Sequence, residues 1–406
     1  MLRRFIRTGT DMVAASIQRL PVTSRIAGPP KGYYRSFAEY ARSVPYAVAN
    51  EWPVLAPESA VLAIPAGVSS EERTLFRPVD HRSPGFSLYS ISRGRFHRDA
   101  RTILTCDDRI LAPFSAHMGS GPEDNWLFHK WSLGKLRHLP GKSLLLVCNP
   151  NYYHFLIEEF PRICLARRAG FALEMFDHLL MFSPVHDSQK TLCRRVGIDP
   201  QKIAPLERTP HVECEELYFA TMPWDYGPTF LKMSRDFLFG LAHHSSLEAS
   251  DRIYVSRERC THGKITNEPD LMRWLSGLGF KKVLPEALSF DDQVALFSRA
   301  SIIIGAHGAG LTDLVFCRPG CTIIEIRNPT FSEVETYHSR GGNIFWRFSQ
   351  FLNFRYHPFF TRPDQTHSKP PDGQVVEAVR LPNVTVDIDR FMEFLNSILP
   401  DKLQGN

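Results

Sequence analysis

The chain has 406 residues, of which 43% are hydrophobic and 22% are charged, and its formal net charge is +5 at pH 7. This composition is ordinary for a folded globular protein, and the length favours two domains over one. The charge is modest and spread along the chain beyond a basic N-terminus, so we expect no nucleic-acid surface.

The N-terminal segment, residues 1–20, combines apolar positions at helical spacing with Arg3, Arg4 and Arg7. Such a segment can lie on an anionic membrane surface, although a helix packed on the body of the protein gives the same pattern. It has no unbroken apolar stretch of the length that a signal peptide or a membrane span needs. The eight cysteines form no C-x-x-C pair, which favours a reducing compartment. We therefore expect a cytoplasmic protein, with residues 1–20 as the candidate for a peripheral membrane contact.

Residues 21–140 are rich in Pro, Gly, Arg and aromatic residues, and their short apolar pieces predict a β-rich lead-in. Regular alternation of strands and helices begins near Lys142. In the lead-in we expect strands at Ala60–Ile64, Arg101–Cys106 and Arg109–Leu111. From there to residue 245 we expect strands at Ser143–Cys148, His178–Phe182, Lys202–Pro205 and Leu217–Thr221, and helices at Ser188–Val196 and Thr229–His244.

His154 and Glu158 follow the strand predicted at Ser143–Cys148. If this segment is helical, the two residues are four apart and share a face. His154 can then act as a general base, with Glu158 orienting it or acting alone. A histidine packed among its aromatic neighbours explains the same residues. A third metal ligand is not apparent, so we expect no metal site here.

The second half of the chain alternates buried strands with helices of about ten residues, which predicts a parallel α/β sheet. Asn267 and Ser289 are the expected helix caps, and Asp387 is expected to cap a last helix near the C-terminus. Strands are expected at Arg252–Ser256, Lys281–Leu284, Ser301–Gly305 and Thr322–Ile326.

A glycine-rich turn, residues 305–310 (the glycine loop), joins a buried strand to a helix and then to a second strand. In such a unit the backbone N–H groups and the positive end of the helix dipole meet at one point, which suits a phosphate. An ordinary tight turn packed by glycines is the alternative. Glu325, at the end of the second strand, is placed to accept from ribose hydroxyls. The residues predicted to bind the ligand around this loop are His307, Gly308, Ala309, Gly310 and Leu311.

A polar loop, residues 257–264 (the basic loop), follows the strand predicted at Arg252–Ser256. Loops at the carboxyl ends of parallel strands line one edge of a sheet, so Arg257, Arg259 and Lys264 are expected beside the glycine loop. Cations next to a helix N-terminus suit a diphosphate. Solvated surface charges are the alternative.

Three other functional classes require motifs that can be compared with the sequence. A nicotinamide-dependent dehydrogenase needs G-x-G-x-x-G, and the glycine loop offers only G-x-x-G-x-G. A serine esterase needs a G-x-S-x-G elbow, which the sequence lacks. A catalytically silent nucleotide-binding module remains compatible with the sequence.

Three stretches, NYYHFLIEEFPR, RIYVSRERC and LSFDDQVALFSRASIIIGAHGAGLTDLVFCRPGCTIIEI, resemble glycosyltransferase family 61. The resemblance covers roughly residues 142 to 330, and the H-G-A-G-L motif with the upstream Ser256-Arg257 is its specific part. Two positions depart from the family pattern. Asp292 replaces a glutamate, and Asp313 replaces an asparagine and is expected to bring negative charge into the first turn of the helix after the glycine loop.

The resemblance implies a GT-B-like α/β architecture, in which two Rossmann-like domains face each other across a cleft behind the β-rich lead-in. It implies an inverting glycosyltransferase, and family members transfer sugars to proteins of the eukaryotic secretory pathway, to plant xylan or to bacterial surface polysaccharides. The lack of a signal-like segment and the free cysteines favour the bacterial polysaccharide-biosynthesis type, at the inner face of the cytoplasmic membrane. The donor is a nucleotide sugar, the acceptor is a glycan or lipid-linked glycan, and no cofactor or metal is required. The expected domains are an acceptor-side domain at 1–245, a donor-binding domain at 246–365 and a tail at 366–406 whose helix packs back on the body. A silent nucleotide-sugar-binding subunit of a polysaccharide assembly is the alternative function.

Overall fold

The computed structural model describes residues 27–69, 72–76, 79–115, 121–147, 149–328, 344–361 and 383–399. The N-terminal segment predicted to contact a membrane lies outside these ranges. The chain divides into two compact units. The first comprises Met1–Pro57, Pro84–Val185 and Cys193–Pro223, and the second comprises Glu58–Ser83, His186–Leu192 and Trp224–Asn406. The domain limits expected from the sequence stay a prediction.

The first unit is built on a ten-stranded mixed sheet. Along one path the strands are, in spatial order, Gly32–Tyr34, Arg109–Leu111, Thr102–Leu104, Arg95–His97, His211–Ala220, Arg137–Val147, His178–Met181 and Ile203–Pro205. The last four of these run parallel to one another. Off this path, Phe86–Ser92 pairs antiparallel with both His211–Ala220 and Ala49–Leu55. The β-rich lead-in thus extends a parallel core with antiparallel pairs, except that Gly32–Tyr34 runs parallel to Arg109–Leu111.

The helices of the first unit are short. A π-helical turn spans His154–Glu159, and an α-helix begins two residues later, at Arg162. The α-helices that include residues of this unit are Phe37–Ser43, Arg162–Arg168 and Asp187–Val196. Short 3₁₀ turns lie at Ala112–Phe114, Pro122–Asp124, Trp126–His129, Leu173–Met175, Pro200–Lys202 and Pro223–Asp225.

The second unit is built on a five-stranded sheet in which every pair of neighbours is parallel. Its strands are, in spatial order, Lys281–Val283, Arg252–Val255, Ile302–Ala306, Thr322–Arg327 and Arg355–Phe360. Its helices are Pro228–Gly240, Glu268–Gly277, Phe290–Arg299, Ile344–Leu352 and Ile388–Ile398, and 3₁₀ turns lie at Glu72–Leu75, Pro285–Ala287 and Ala309–Phe316. A two-stranded hairpin, Glu58–Leu62 with Val79–Ser83, belongs to the same unit. The coarse prediction of a mixed α/β fold with parallel sheets is therefore confirmed.

Apart from Arg252, the central strands of this sheet are buried along their whole length, and most of their residues are apolar. Ile303, Ile304, Ile323 and Ile324 have no exposed surface. The last helix, Ile388–Ile398, packs Phe391 and Leu395 into the same core as strand and helix residues from earlier in the chain.

Three helix caps were predicted from the sequence, and the structure shows which of their side chains make the expected hydrogen bond. Ser289 accepts from the N–H of Asp292, and Asp387 accepts from the N–H of Arg390, as predicted. Asn267 occupies the predicted cap position before the helix Glu268–Gly277, but its side chain makes no cap bond. Its amide instead donates to the carbonyl of Val386 (2.8 Å) and accepts from the N–H of Val386 (3.0 Å). Asn267 therefore fastens the C-terminal segment to the unit.

In the part of the chain that the structure describes, no helix combines the length and the apolar character that a membrane crossing requires.

Candidate functional site

Two neighbouring parallel strands of the second unit bring the basic loop and the glycine loop together. Val255 lies opposite Gly305 in the sheet, so the segments that follow both strands leave the same edge. The contact is close: a Cβ atom built on Gly308 would lie 1.9 Å from Nη1 of Arg257. The guanidinium therefore rests directly against the Gly308 backbone, and the expected adjacency of the two loops is confirmed.

Arg257 is a buried cation, with 7% of its surface exposed. Its Nε donates to the carbonyl of Gly263 (2.8 Å), and its Nη2 donates to the carbonyl of His262 (3.1 Å). These two bonds hold the guanidinium plane and curl the basic loop around it. Within the described ranges no carboxylate pairs with Arg257. A buried cation held by carbonyl groups alone favours an anionic ligand.

Gly308 has a φ of 149°, which side-chain-bearing residues rarely adopt, and an eight-residue 3₁₀ helix, Ala309–Phe316, begins directly after it. Ala309 and Gly310 are partly exposed at the start of that helix. Their N–H groups open the helix and are placed for an anion.

Two positions around the glycine loop require correction. The N–H of Leu311 bonds to the carbonyl of Gly308 (2.9 Å) and its side chain has no exposed surface, so Leu311 is a core residue. Asp313 is fully buried and is the fifth residue of the 3₁₀ helix, so it does not lie in the first turn as expected.

His307 and Glu325 form a pair behind the glycine loop. Nδ1 of His307 is hydrogen-bonded to Oε1 of Glu325. The other carboxylate oxygen accepts from the hydroxyl of Tyr356 and from Nη1 of Arg327 (3.2 Å). Glu325 has no exposed surface. The predicted ribose contact of Glu325 therefore needs correction, because no part of the carboxylate reaches the surface.

The charge of Glu325 is stabilised inside this network. Burial alone would raise the pKa of its carboxyl, but the charge of Arg327 and the contacts with His307 and Tyr356 lower it to about 2. The carboxylate is therefore ionised at any pH at which the protein is expected to work.

Ser256 and Lys264 shape the basic loop in different ways. Ser256 is buried, donates to Oε1 of Glu268 (2.5 Å) and accepts from the N–H of Glu258 (3.2 Å). Lys282 lies 3.0 Å from Glu268 and 2.6 Å from Glu258 and so completes the cluster. The N–H of Lys264 bonds to Asn383, and its side chain is partly exposed. Ser256 thus fixes the start of the loop, whereas Lys264 keeps exposed surface at its end.

The second candidate site lies in the first unit, where the structure brings His154 and Glu158 together. Nδ1 of His154 lies 2.6 Å from Oε2 of Glu158. The His154 side chain is 36% exposed and that of Glu158 is 8% exposed. Burial lowers the pKa of His154, but Glu158 and Glu159 raise it by more, so the net shift is upward. The predicted shared face is confirmed, and the pair forms a half-exposed histidine oriented by a buried carboxylate.

The turn that carries this pair is π-helical, a conformation that is often found at functional sites. The N–H of Phe160 reaches back five residues to the carbonyl of Phe155 (2.8 Å). Glu159 anchors the turn, since it accepts from the N–H of Asn149 (2.8 Å) and lies 3.8 Å from the buried guanidinium of Arg162. Sequence reasoning missed this anchor, although the Glu159–Arg162 spacing of three was visible.

Arg327 and Tyr356 were also missed. Glu325 and Arg327 are two apart in a buried strand, so they lie on the same face, and two charges there signal a buried pair. Tyr356 carries no local signal, because its strand is distant in sequence and was not predicted.

Among the described residues, no group of three or more His, Cys, Asp or Glu side chains is arranged to hold a metal ion.

Comparison with known proteins adds two findings. Residues 152–324 match the model of the family described as Glycosyltransferase 61. A Beta-1,2-xylosyltransferase of Arabidopsis thaliana is 46% identical to this chain over 55 residues. That match covers 14% of this chain and 10% of the xylosyltransferase, so this chain corresponds to only a small part of that relative. Both findings support a glycosyltransferase.

The depressed pKa of Glu325 predicts an acid-sensitive contribution to stability. A carboxyl whose folded pKa lies below its unfolded value stabilises the fold above the unfolded pKa and loses that effect as pH falls. The effect is fully present above about pH 4.5 and is lost between there and about pH 2. In urea unfolding, the stability difference between wild type and Glu325→Gln should shrink steadily across this window. A difference that stays constant from pH 5 to pH 2.5 would contradict the assignment.

Proposed function

We propose that this chain is an inverting glycosyltransferase that moves a sugar from a nucleotide-sugar donor to a glycan acceptor. The observation that carries the proposal is that the family match over residues 152–324 contains both the His154–Glu158 pair and the Arg257–Gly308 contact. A base and an anion site are the two devices that an inverting transfer needs.

The donor half of the proposal rests on the basic loop and the glycine loop. Nη1 of Arg257 and the first N–H groups of the 3₁₀ helix bind the diphosphate of the nucleotide sugar. In the reaction, the bond between the anomeric carbon and the diphosphate oxygen breaks, and these donors stabilise the negative charge that develops there. No metal is needed for this step.

The acceptor half rests on His154. Its imidazole takes the proton of the acceptor hydroxyl while the hydroxyl oxygen forms its bond to the anomeric carbon. Glu158 holds the ring through Nδ1 and stabilises the imidazolium that results. Glu158 is the alternative base, and the pH dependence below distinguishes the two.

The finer parts of the proposal follow from the family resemblance. They are a GT-B-like architecture, an acceptor that is a surface polysaccharide or a lipid-linked glycan, and a location at the inner face of the cytoplasmic membrane. Because the relative is named as a xylosyltransferase, a nucleotide-activated pentose is the first donor to test, followed by hexoses.

The donor is identified by thermal shift with a panel of nucleotide sugars, followed by hydrolysis assays with those that bind. A ligand present at 100 times its dissociation constant adds about 2.7 kcal/mol of stability. Slow release of free nucleotide supports the transferase. Binding without any hydrolysis or transfer supports the silent subunit instead.

Replacing Arg257 by alanine should weaken nucleoside diphosphate binding by roughly ten- to a hundred-fold, because a hydrogen bond to a charged group contributes about 1.5–3 kcal/mol. Calorimetry with the free nucleotide measures this loss. Arg259→Ala is the matched control, since Arg259 is exposed two residues further along the same loop. Equal affinities for Arg257→Ala and wild type, both folded, would remove Arg257 from the site.

Gly308→Ala should also lose nucleotide binding, because its Cβ would lie 1.9 Å from the Arg257 guanidinium and its φ is unfavourable for alanine. Gly310→Ala is the matched control. Its Cβ would meet only Cγ1 of Val255 at 3.3 Å, so we expect at most a few-fold effect. The prediction fails if both variants bind nucleotide as wild type does.

If His154 is the base, transfer needs its neutral form, so the rate should rise with pH. The raised pKa of His154 places the midpoint of this rise above pH 6.5. Glu158→Gln removes the charge that raises it, so the midpoint should move to lower pH. His154→Ala should reduce turnover by about 10²–10⁴-fold at nearly normal nucleotide affinity. A midpoint that Glu158→Gln leaves in place would argue against His154.

A further inference from the structure

Residues 383–386, near the C-terminus, lie against the end of the basic loop. Val384 forms a parallel bridge with Ile265. The N–H of Val384 donates to the carbonyl of Lys264 (2.9 Å), and its carbonyl accepts from the N–H of Thr266 (2.9 Å). The function proposed above does not use this segment, although it is bonded to the loop that carries Arg257.

The side chains of residues 383–386 alternate between the core and the surface, as in a strand. Val384 and Val386 are buried in the core of the second unit, whereas Asn383 and Thr385 keep exposed surface. Burial of the two valines therefore holds the segment in place, and the segment in turn holds Asn383 beside the basic loop.

The peptide group between Gly263 and Lys264 is bonded on both sides. Its carbonyl accepts from Nε of Arg257 (2.8 Å). Its N–H donates to Oδ1 of Asn383 (3.0 Å), a residue that follows Lys264 by 119 positions in the chain. The carbonyl and the N–H of a planar trans peptide point in opposite directions, so a bond that fixes the N–H also fixes the direction of the carbonyl.

Gly263 is the reason that this peptide needs a second contact. It has a φ of 68°, and the conformational freedom of glycine lets the adjoining peptide rotate more readily than other residues would. Such a rotation would take the carbonyl away from Nε of Arg257. The bond from Lys264 to Asn383 opposes the rotation and so preserves the bond to Arg257.

We propose that Asn383 is a positioning residue of the donor site, which holds this peptide so that the guanidinium of Arg257 stays in place for the diphosphate. The proposal rests on the proposed function, because it takes Arg257 to bind the diphosphate of the nucleotide. Asn383 acts through one peptide group on a cation that is 7% exposed and lies against Gly308. Residues 383–386 thereby support the donor site from the far end of the chain.

The first test needs no ligand and observes the Arg257 side chain directly. Arginine is labelled with ¹⁵N, the Nε–H signal of Arg257 is assigned from the spectrum of Arg257→Ala, and its exchange with water is measured. Asn383→Ala should speed this exchange about five-fold, because the carbonyl of Gly263 is no longer held on Nε. Asn383→Asp keeps an oxygen that accepts from the N–H of Lys264, so it should restore the rate to within about two-fold of wild type. An unchanged rate in Asn383→Ala would overturn the proposal.

The second test is a double-mutant cycle with UDP as the probe, measured by calorimetry. Asn383→Ala should weaken UDP binding about five-fold in the wild-type background and less than about two-fold in the Arg257→Ala background, because Asn383 acts through Arg257. Thr385→Ala is the matched control. It removes a hydroxyl bonded to that of Thr266 (2.6 Å) from the same segment, and UDP affinity should stay within about two-fold of wild type. An equal loss from Asn383→Ala in both backgrounds would show a general structural role and contradict the proposal.

The two tests separate this inference from the proposed function. If wild type binds UDP but Asn383→Ala binds it equally well, the inference fails and the proposed donor site stands. If wild type binds no nucleoside diphosphate, the donor site fails, while the exchange of the Arg257 Nε–H still decides whether Asn383 holds the guanidinium.

Should Asn383→Ala not fold, the unaltered protein decides the question. A coupling between two sites acts equally in both directions, so bound UDP should slow the exchange of the Lys264 N–H about two-fold or more. An exchange rate that UDP leaves unchanged would refute the coupling.

Discussion

The candidate donor site depends on one contact, in which the guanidinium of Arg257 lies against the backbone of Gly308. The contact joins the two loops that leave adjacent strands, and it exists only because residue 308 has no side chain. Arg257 also donates from Nε and Nη2 to two carbonyls of its own loop. The Arg257 side chain is therefore held in one position at the sheet edge before a ligand binds. Binding an anion there costs little side-chain conformational entropy.

Much of the second unit could be predicted from the sequence because its signals are local. Continuous β-branched runs mark buried parallel strands, and Ser289 and Asp387 follow ordinary capping chemistry. The strand Arg355–Phe360 could not be predicted, because it contains Pro358. The strand lies at the edge of the sheet, where proline is tolerated, and no local pattern reveals which strand is the edge.

The functional residues show the same difference between local signals and long-range contacts. Arg257, Gly308 and the His154–Glu158 pair could be found because topology or spacing brings them together. The role of Glu325 was misjudged because its partners, His307, Arg327 and Tyr356, are assembled by three different parts of the chain. In the first unit, the π-helical turn escaped prediction for a related reason. Its anchor joins Glu159 to the N–H of Asn149, ten residues earlier, and to Arg162, and helical spacing does not indicate the first of these contacts.

The hairpin Glu58–Ser83 has a consequence for how the chain folds during synthesis. Glu58 accepts from the N–H (2.9 Å) and the hydroxyl (2.7 Å) of Thr229 and so completes the start of the helix Pro228–Gly240. A ribosome adds Glu58 to the chain 171 residues before Thr229, and the last helix of the same unit ends at Ile398. The second unit therefore joins a segment that is made early to a helix that is made much later. Contacts of such long sequence separation slow folding and expose apolar surface in the meantime. Until the helix Pro228–Gly240 has been made, Glu58 lacks the two bonds to Thr229 that it accepts in the folded chain.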